Sequence, residues 1–179
     1  MSLTRMVRDS RSPLVSAETA EPTRPAGHTA AELAALVTML IAQRPRIDTV
    51  TIGHGRDAAS VAAAGRFADE WQARGGRLLT VVHWPESAAS WLRHAQRFAA
   101  GEPDAWVVAG APLGWAQMAR RLRHSTAWDP ARTFGFASIG SPETVTLAGP
   151  GTLAGLRGAT SRGGSWRIGR HSITWEESQ

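Results

Sequence analysis

Residues 47–111 decide the fold, and they read IDTVTIGHGRDAASVAAAGRFADEWQARGGRLLTVVHWPESAASWLRHAQRFAAGEPDAWVVAGA. Three short apolar runs, at residues 49–52, 78–82 and 106–109, are typical of β-strands buried in a sheet. Between them lie two longer segments whose apolar residues have the spacing of a helix face. The order strand, helix, strand, helix, strand is a pair of βαβ units, which join parallel strands through helical crossovers. The stretch therefore predicts an α/β fold of three layers, α/β/α, with a mostly parallel central sheet.

The glycines in this stretch predict where its elements end. We expect the first strand to stop at Gly53-His54-Gly55, and the first helix, residues 58–74, to stop at Gly75-Gly76. A second helix is expected over residues 87–99, after a loop at residues 83–86. The inner face of the first helix is predicted to carry Val61, Ala64, Gly65, Ala68 and Trp71.

The rest of the chain extends this α/β pattern. Thr29 and Glu32 form a capping box that predicts the start of a helix, with Leu33, Leu36, Val37, Leu40 and Ile41 as its apolar stripe. A helix is expected after residues 110–114, a fourth strand at residues 133–137, a short helix capped by Ser141, and a β-hairpin around Gly169-Arg170.

Three regions follow from this pattern. An extended N-terminal arm is predicted at residues 1–27, where Leu14-Val15 is a candidate for pairing at a sheet edge. A single α/β domain spans residues 28–160, and a C-terminal hairpin and tail span residues 161–179.

Composition excludes several classes of protein. The chain has 179 residues, the length of one domain, and no cysteine, so disulfides and thiolate metal sites are excluded. All 20 basic residues are arginines, and since they are spread along the chain we expect no dedicated nucleic-acid surface. No stretch is long and apolar enough to span a membrane. The first 22 residues lack the apolar core of a secretory signal, so a cytoplasmic location is expected.

Tryptophan is abundant, with eight copies. Four of them, Trp71, Trp91, Trp106 and Trp115, fall on helix or strand patterns and are expected in the core. Another four lie nearer loops and ends, where they would cover the core edge or form a contact surface: Trp84, Trp128, Trp166 and Trp175.

Ligands of open α/β sheets bind beyond the carboxyl ends of the strands, so the residues there are the candidate site. The polar side chains at these predicted ends are the candidate ligand-binding residues: His54, Arg56, Asp57, His83, Glu86 and Ser138. His54, His83 and Glu86 could do acid–base chemistry together, or they could be loop groups that face water.

The sequence Gly53-His54-Gly55-Arg56-Asp57-Ala58 fits the dinucleotide-binding pattern G-x-G-x-x-A, but it also fits a tight turn between strand and helix. The acidic residue that such a site needs about 20 residues further on is missing, which favours the turn. The six histidines are not spaced as metal ligands, and no nucleophile elbow is present. We therefore predict no catalytic residue, no metal and no cofactor.

Several segments, in this order, resemble the type I periplasmic binding proteins, in particular the branched-chain amino acid substrate-binding family of ABC transporters. Residues 12–20 are similar to a "P-x-hydrophobic-S-x-x-A-T" segment, and residues 50–76 to the strand and helix that open the C-terminal lobe. Residues 103–110, with Met118-Ala119-Arg120 after them, are similar to an "x-P-D-hydrophobic" strand and its helix, and residues 153–158 to a return strand.

The resemblance covers residues 12–160 and implies only one of the family's two lobes, a flavodoxin-like unit with one extra N-terminal strand. In the family, the groups that clamp the amino and carboxyl ends of the ligand come largely from the other lobe. The second lobe adds an aromatic residue after its first strand, another after its third and an acidic residue after its fourth. Here those positions hold Ala59, Ala111 and Ser138.

Three functions remain open at this point. The leading hypothesis is a non-enzymatic single lobe used for protein interaction or small-molecule sensing, as a homo-oligomer or with a partner protein, because a lone lobe exposes the surface that its partner lobe would cover. The second is a site for a small polar ligand such as an amino acid, with Arg56 on a carboxylate or phosphate, Asp57 on an amine, and His83 and Ser138 beside them. The third is a cytosolic, Rossmann-like enzyme that uses a nucleotide or flavin.

Overall fold

The computed structural model describes residues 24–177, which form one seven-stranded sheet with helices on both faces. The strand order is β2-β1-β3-β4-β5-β6-β7; the first five strands are parallel and the last two join antiparallel. The strands are β1 (Thr49–Gly55), β2 (Arg77–Trp84), β3 (Ala105–Ala109), β4 (Thr133–Gly135), β5 (Arg157–Ala159), β6 (Ser165–Ile168) and β7 (Ile173–Glu176). The predicted three-layer α/β fold and the C-terminal hairpin are confirmed.

Five α-helices cover the two faces of this sheet: α1 (Ala30–Ile41), α2 (Ala58–Ala73), α3 (Leu92–Ala99), α4 (Pro112–Ser125) and α5 (Pro142–Ala148). One buried cluster joins α1 and α2 to the sheet, and a second joins α3, α4 and α5 to its other face. There are two clusters because successive side chains of a strand point to opposite faces of the sheet, as β3 shows. Its Trp106 and Val108 face α3 and α4, and its Val107 faces α1 and α2. Every residue of β3 is buried, as expected for a central parallel strand.

α1 begins at the predicted capping box. Thr29 accepts a hydrogen bond from the backbone N–H of Glu32, and the Glu32 carboxylate accepts one from the backbone N–H of Thr29. Leu36, Val37 and Leu40 are buried as the stripe predicts, whereas Ile41 is exposed at the end of the helix.

The predicted ends of β1 and β2 were wrong by two or three residues. β1 continues through Gly53, His54 and Gly55, and β2 continues through His83 and Trp84. The reason is packing on Gly53: a Cβ atom there would lie 2.5 Å from the Trp84 ring and 2.6 Å from the Phe98 ring. Glycine at this position lets the two aromatic rings lie against the strand, which sequence alone presents as a chain break.

The helix predicted over residues 87–99 begins only at Leu92, since residues 85–91 form a loop. The strand predicted to run to residue 137 ends at Gly135 and is followed by a 3-10 turn, Ala137–Ile139. The buried face of α2 is also rotated from the predicted one. Val61 and Gly65 are exposed, and the buried set is Ser60, Ala63, Ala64, Phe67 and Trp71.

Seven of the eight tryptophans lie in the two buried clusters. Among the four placed near loops by the sequence, Trp84, Trp128 and Trp166 are at most 3% exposed, and only Trp175 is half exposed. The indole N–H of Trp166 donates to the backbone carbonyl of Ala159 at 2.9 Å, which ties β6 to β5. The C-terminal hairpin thus extends the sheet and completes its core. Arm residues 1–23, with Leu14-Val15, lie outside the described residues.

None of the helices within residues 24–177 combines the length and hydropathy needed to cross a membrane.

Candidate functional site

The carboxyl ends of β1 and β3 meet where the strand order reverses. β2 lies on one side of β1 and β3 on the other. The helix that follows β1, α2, packs on one face of the sheet, and the helix that follows β3, α4, packs on the opposite face. In open α/β sheets, this switch point is the place where a crevice opens for ligands.

The structure places the six predicted site residues in three separate groups. The first group, His54, Arg56 and His83, lies where β1 ends beside the edge strand β2. The Nε–H of Arg56 donates to Nδ1 of His83 at 3.2 Å, and the rings of His54 and His83 are 6.1 Å apart. Partial burial lowers the pKa of His83, and the charges of Arg56, His54 and Arg97 lower it further. A neutral His83 is the form that accepts the hydrogen bond from Arg56.

The second group, Asp57 and Glu86, forms what we call the acid pair. Oδ1 of Asp57 caps α2 by accepting the backbone N–H of Ser60 at 2.9 Å. Oε2 of Glu86 accepts the backbone N–H of Gly114, in the first turn of α4, at 3.3 Å. The acid pair therefore joins the starts of the two helices that flank the switch point.

The other oxygens of the acid pair point at one spot beside Gly55. A Cβ atom on Gly55 would lie 2.8 Å from Oδ2 of Asp57, 3.3 Å from Oε1 of Glu86 and 3.5 Å from Oγ of Ser60. Within the described residues, all three oxygens are buried and have no hydrogen-bond partner. The absence of a side chain at Gly55 is what lets them converge, since a Cβ would crowd the nearest of them.

The surroundings of Glu86 shift its pKa toward the neutral form. Burial raises the pKa of Glu86, the negative charge of Asp57 raises it further, and the hydrogen bond from Gly114 opposes both. The oxygens of Asp57 and Glu86 that face Gly55 are buried, so they are not open to an amine in solvent.

Ser138, the third group, lies in a pocket of about 230 Å³ that we call the rim pocket. Its walls come from the start of α2, the end of β3 and the turn after β4, and the segment before α1 covers it. The residues of these three elements that line it are Ala59, Ser60, Ala63, Ala109, Phe136, Ala137 and Ser138. The rim pocket contains neither Arg56 nor His83, so the structure does not bring these residues together with Ser138.

Glu32 also lines the rim pocket, a second role that its place in the capping box does not reveal. Its side chain is buried, and its Oε1 accepts the backbone N–H of Ala137 at 2.6 Å. Burial raises the pKa of Glu32, while the N–H groups of Ala137 and Thr29 and the charge of His28 lower it. Glu32 therefore ties α1 to the turn that carries Ser138.

The G-x-G segment does not form a phosphate-binding loop. Gly53 and Gly55 are both strand residues of β1, and their missing side chains make room for protein atoms, the Trp84 ring and the acid pair. The turn between β1 and α2 consists of Arg56 and Asp57. Over residues 24–177, no group of three or more histidines and carboxylates is placed to hold a metal ion.

Solved structures that match this fold include proteins described as substrate-binding proteins and as parts of ABC transporters. A putative branched-chain amino acid ABC transporter protein from Rhodospirillum rubrum matches with a TM-score of 0.60 and 20% identity, over 72% of this chain and 36% of that one. A substrate-binding periplasmic protein from Ralstonia solanacearum matches with a TM-score of 0.63 and 16% identity, over 75% of this chain and 37% of that one. LivJ from Streptococcus pneumoniae, solved with isoleucine, matches with a TM-score of 0.60 and 12% identity, over 71% of this chain and 35% of that one.

The chain spans about a third of the length of these proteins, so its fold is that of a single lobe of a type I periplasmic binding protein. The fold that the sequence resemblance implied is therefore confirmed. No protein-family model and no curated protein sequence matches the chain.

Proposed function

We propose that the protein is a non-enzymatic binding module, a single lobe that holds one small molecule in the rim pocket. One observation carries the proposal. Ala59 and Ser138, two of the three positions that the resemblance matches to ligand-contacting residues of the family, line the same pocket at the switch point. The position is the one at which open α/β sheets bind ligands.

The volume of the rim pocket limits the size of the ligand that it can hold. Its volume of about 230 Å³ is below the range of roughly 300–1,000 Å³ that drug-sized ligands need. A flavin or dinucleotide does not fit, and β1 offers no loop for its phosphates. Both points weigh against the nucleotide-dependent enzyme.

The walls of the rim pocket limit the chemistry of the ligand. The methyl groups of Ala59, Ala63 and Ala109 make an apolar wall, and Ser138 adds a hydroxyl group. Ser138 is only half-buried, so its hydroxyl group can bond a polar group of the ligand. A small amino acid with an apolar side chain, or an organic acid of similar size, carries both an apolar group and polar groups and therefore matches these walls.

Filling the rim pocket tests this proposal. Ala59→Trp places an indole in the pocket, whereas Ala62→Trp places the same group on the exposed side of α2. We expect calorimetric titration with the ligand to show binding by the wild type and the Ala62 variant, and at least tenfold weaker binding by the Ala59 variant. Equal affinity in the two tryptophan variants would place the ligand elsewhere.

Self-association is a second candidate, favoured by the sheet edge. Within residues 24–177, β2 is the outer strand of the sheet, and its Leu79 and Val81 are each 43% exposed. The backbone N–H and C=O groups of an edge strand are a template for pairing with another copy, and exposed apolar side chains on that strand add to the contact. We expect light scattering after size exclusion to show a dimer that Val81→Lys converts to monomer and that Leu113→Lys, on α4, leaves intact. A monomeric wild type would end this candidate.

A further inference from the structure

α3 and α4 carry positive charge only. Together they hold Arg93, Arg97, Arg120, Arg121 and Arg123, and neither helix contains an aspartate or glutamate. The two helices pack against each other on one face of the sheet. The arginines are spread along the chain, but the fold gathers five of them on this surface, which we call the basic face.

A groove crosses the basic face. It has a volume of about 410 Å³ and is lined by Trp91, Gln117, Arg120, Arg121 and His124. The four residues from α4 have the spacing i, i+3, i+4 and i+7, so they lie along one side of the helix. They span about 10 Å of helix axis.

Within residues 24–177, no ion pair neutralises the positive charges of the basic face. The ion pairs of that part of the chain are Arg46 with Asp48 and Arg74 with Glu70, neither of them on this face. Of the neighbouring acids, Glu86 is turned inward to the start of α4, and Glu143 lies at the start of α5. Burial lowers the pKa of His94 on α3, and the neighbouring charges, those of Arg56, Arg97 and Arg93 among them, lower it further.

The opposite face of the sheet differs in charge. α1 carries one charged residue, the buried Glu32, and α2 carries Arg66, Asp69 and Glu70, of which Glu70 pairs with Arg74 just after the helix. Unpaired positive charge is therefore concentrated on the basic face, which favours the approach of that face to an anionic partner.

We propose that the basic face binds a nucleic-acid duplex through the phosphates of one of its strands. A guanidinium group binds phosphate in a two-pronged manner, and the 10 Å row along α4 matches the rise of about three nucleotides in one strand. Gln117 and His124 add hydrogen-bonding groups that suit sugar or base edges.

An anionic membrane is a poorer match to this surface. Helices that bind membranes insert a continuous apolar side, but most large apolar side chains of α3 and α4 are packed in the core, with Phe98, Trp115 and Leu122 fully buried. The exposed ones, Leu92 and Leu113, are single residues near the start of each helix. This inference reverses the expectation from the even spread of arginines, and it does not depend on the rim pocket.

The test uses two double variants of equal net charge. Arg120→Ala with Arg123→Ala removes two charges from the basic face, and Arg66→Ala with Arg77→Ala removes two exposed charges from α2 and β2. Binding of a fluorescently labelled 20-nucleotide duplex is followed by anisotropy between about 50 and 200 mM salt. For the wild type, we expect the logarithm of the binding constant to fall linearly with the logarithm of the salt concentration. The steepness of this line should decrease by about 2 in the first variant and by less than half as much in the second.

Three results would overturn the proposal. They are no binding of the duplex at about 50 mM salt, equal losses in the two double variants, or equal competition by polyglutamate at matched charge. Sedimentation with phosphatidylserine vesicles separates the membrane alternative, since stronger retention on vesicles than on the duplex would favour it. Thermal melts establish that both double variants are folded before binding is compared.

Discussion

Replacing Glu86 by glutamine should make the protein more stable at neutral pH. Glu86 has one oxygen bonded to the backbone N–H of Gly114 and the other buried against Asp57 with no donor in the described chain. A glutamine in the same place keeps the acceptor for Gly114 and turns its amide N–H₂ toward the unpaired oxygen of Asp57. The change removes the repulsion between two carboxylates and supplies the missing donor.

The expected gain is about 1 kcal/mol. A buried polar group without a partner costs roughly 1–3 kcal/mol, and we take the lower end because Glu86 is only partly buried. For a domain of this size, a gain of about 1 kcal/mol raises the melting temperature by roughly 2–4 °C.

The gain should depend on pH in a definite direction. The pKa of Glu86 is raised above its ordinary value of 4.5, so the folded state holds the proton more tightly than the unfolded state. The stabilising contribution of Glu86 is then fully present below pH 4.5 and is lost as the pH rises through the raised pKa. Glutamine does not titrate, so its advantage over the wild type should grow from about pH 5 to about pH 8.

Calorimetric melts of the wild type and the variant at those two pH values measure this difference. Glu143→Gln, at an exposed position in the first turn of α5, is the control and should show a small loss with no growing advantage. A Glu86→Gln protein that is less stable at about pH 8, or whose advantage is the same at both pH values, would refute the acid pair as described.

Two further changes test the framework around the site by urea unfolding. Gly55→Ala should destabilise the fold by about 1–3 kcal/mol because its Cβ would press on the acid pair, whereas Gly65→Ala, with open space around it on α2, should stabilise it by about 0.5–1 kcal/mol. Asp104→Ala should cost about 1–2 kcal/mol, since this carboxylate accepts three hydrogen bonds at the start of β1. Burial raises the pKa of Asp104, but those hydrogen bonds outweigh it and the net pKa is lowered, so its contribution should fade as the pH drops below the ordinary value of 3.8.

Local sequence patterns predicted the helices and strands well, but they did not predict the packing contacts between them. The capping box of Thr29 and Glu32 and the apolar run of β3 depend on neighbouring residues, and both are confirmed. Gly53 was taken as the end of a strand because glycine reads locally as a break. Glycine is needed at this position because the ring of Trp84, on a strand about 30 residues further along the chain, packs against it.

The geometry of the candidate site could not be predicted from local sequence patterns either. The pairing of Asp57 with Glu86, and the second role of Glu32 beside Ser138, depend on contacts between distant segments that no spacing rule reveals. The resemblance to a binding-protein lobe matched Ala59 and Ser138 to ligand-contacting positions of the family, and the structure shows that both residues line the rim pocket. Oligomeric state and the cytoplasmic location stay predictions.

The central claim is that the rim pocket holds a small ligand, and a thermal-melt screen of the wild type against amino acids and short organic acids tests it most directly. A ligand at about 100 times its dissociation constant stabilises the fold by about 2.7 kcal/mol, which corresponds to a shift of roughly 5–10 °C. We expect such a shift with a small apolar amino acid or acid, and its loss in the Ala59→Trp variant. No shift with any compound at millimolar concentration, or a shift that survives in that variant, would contradict the claim.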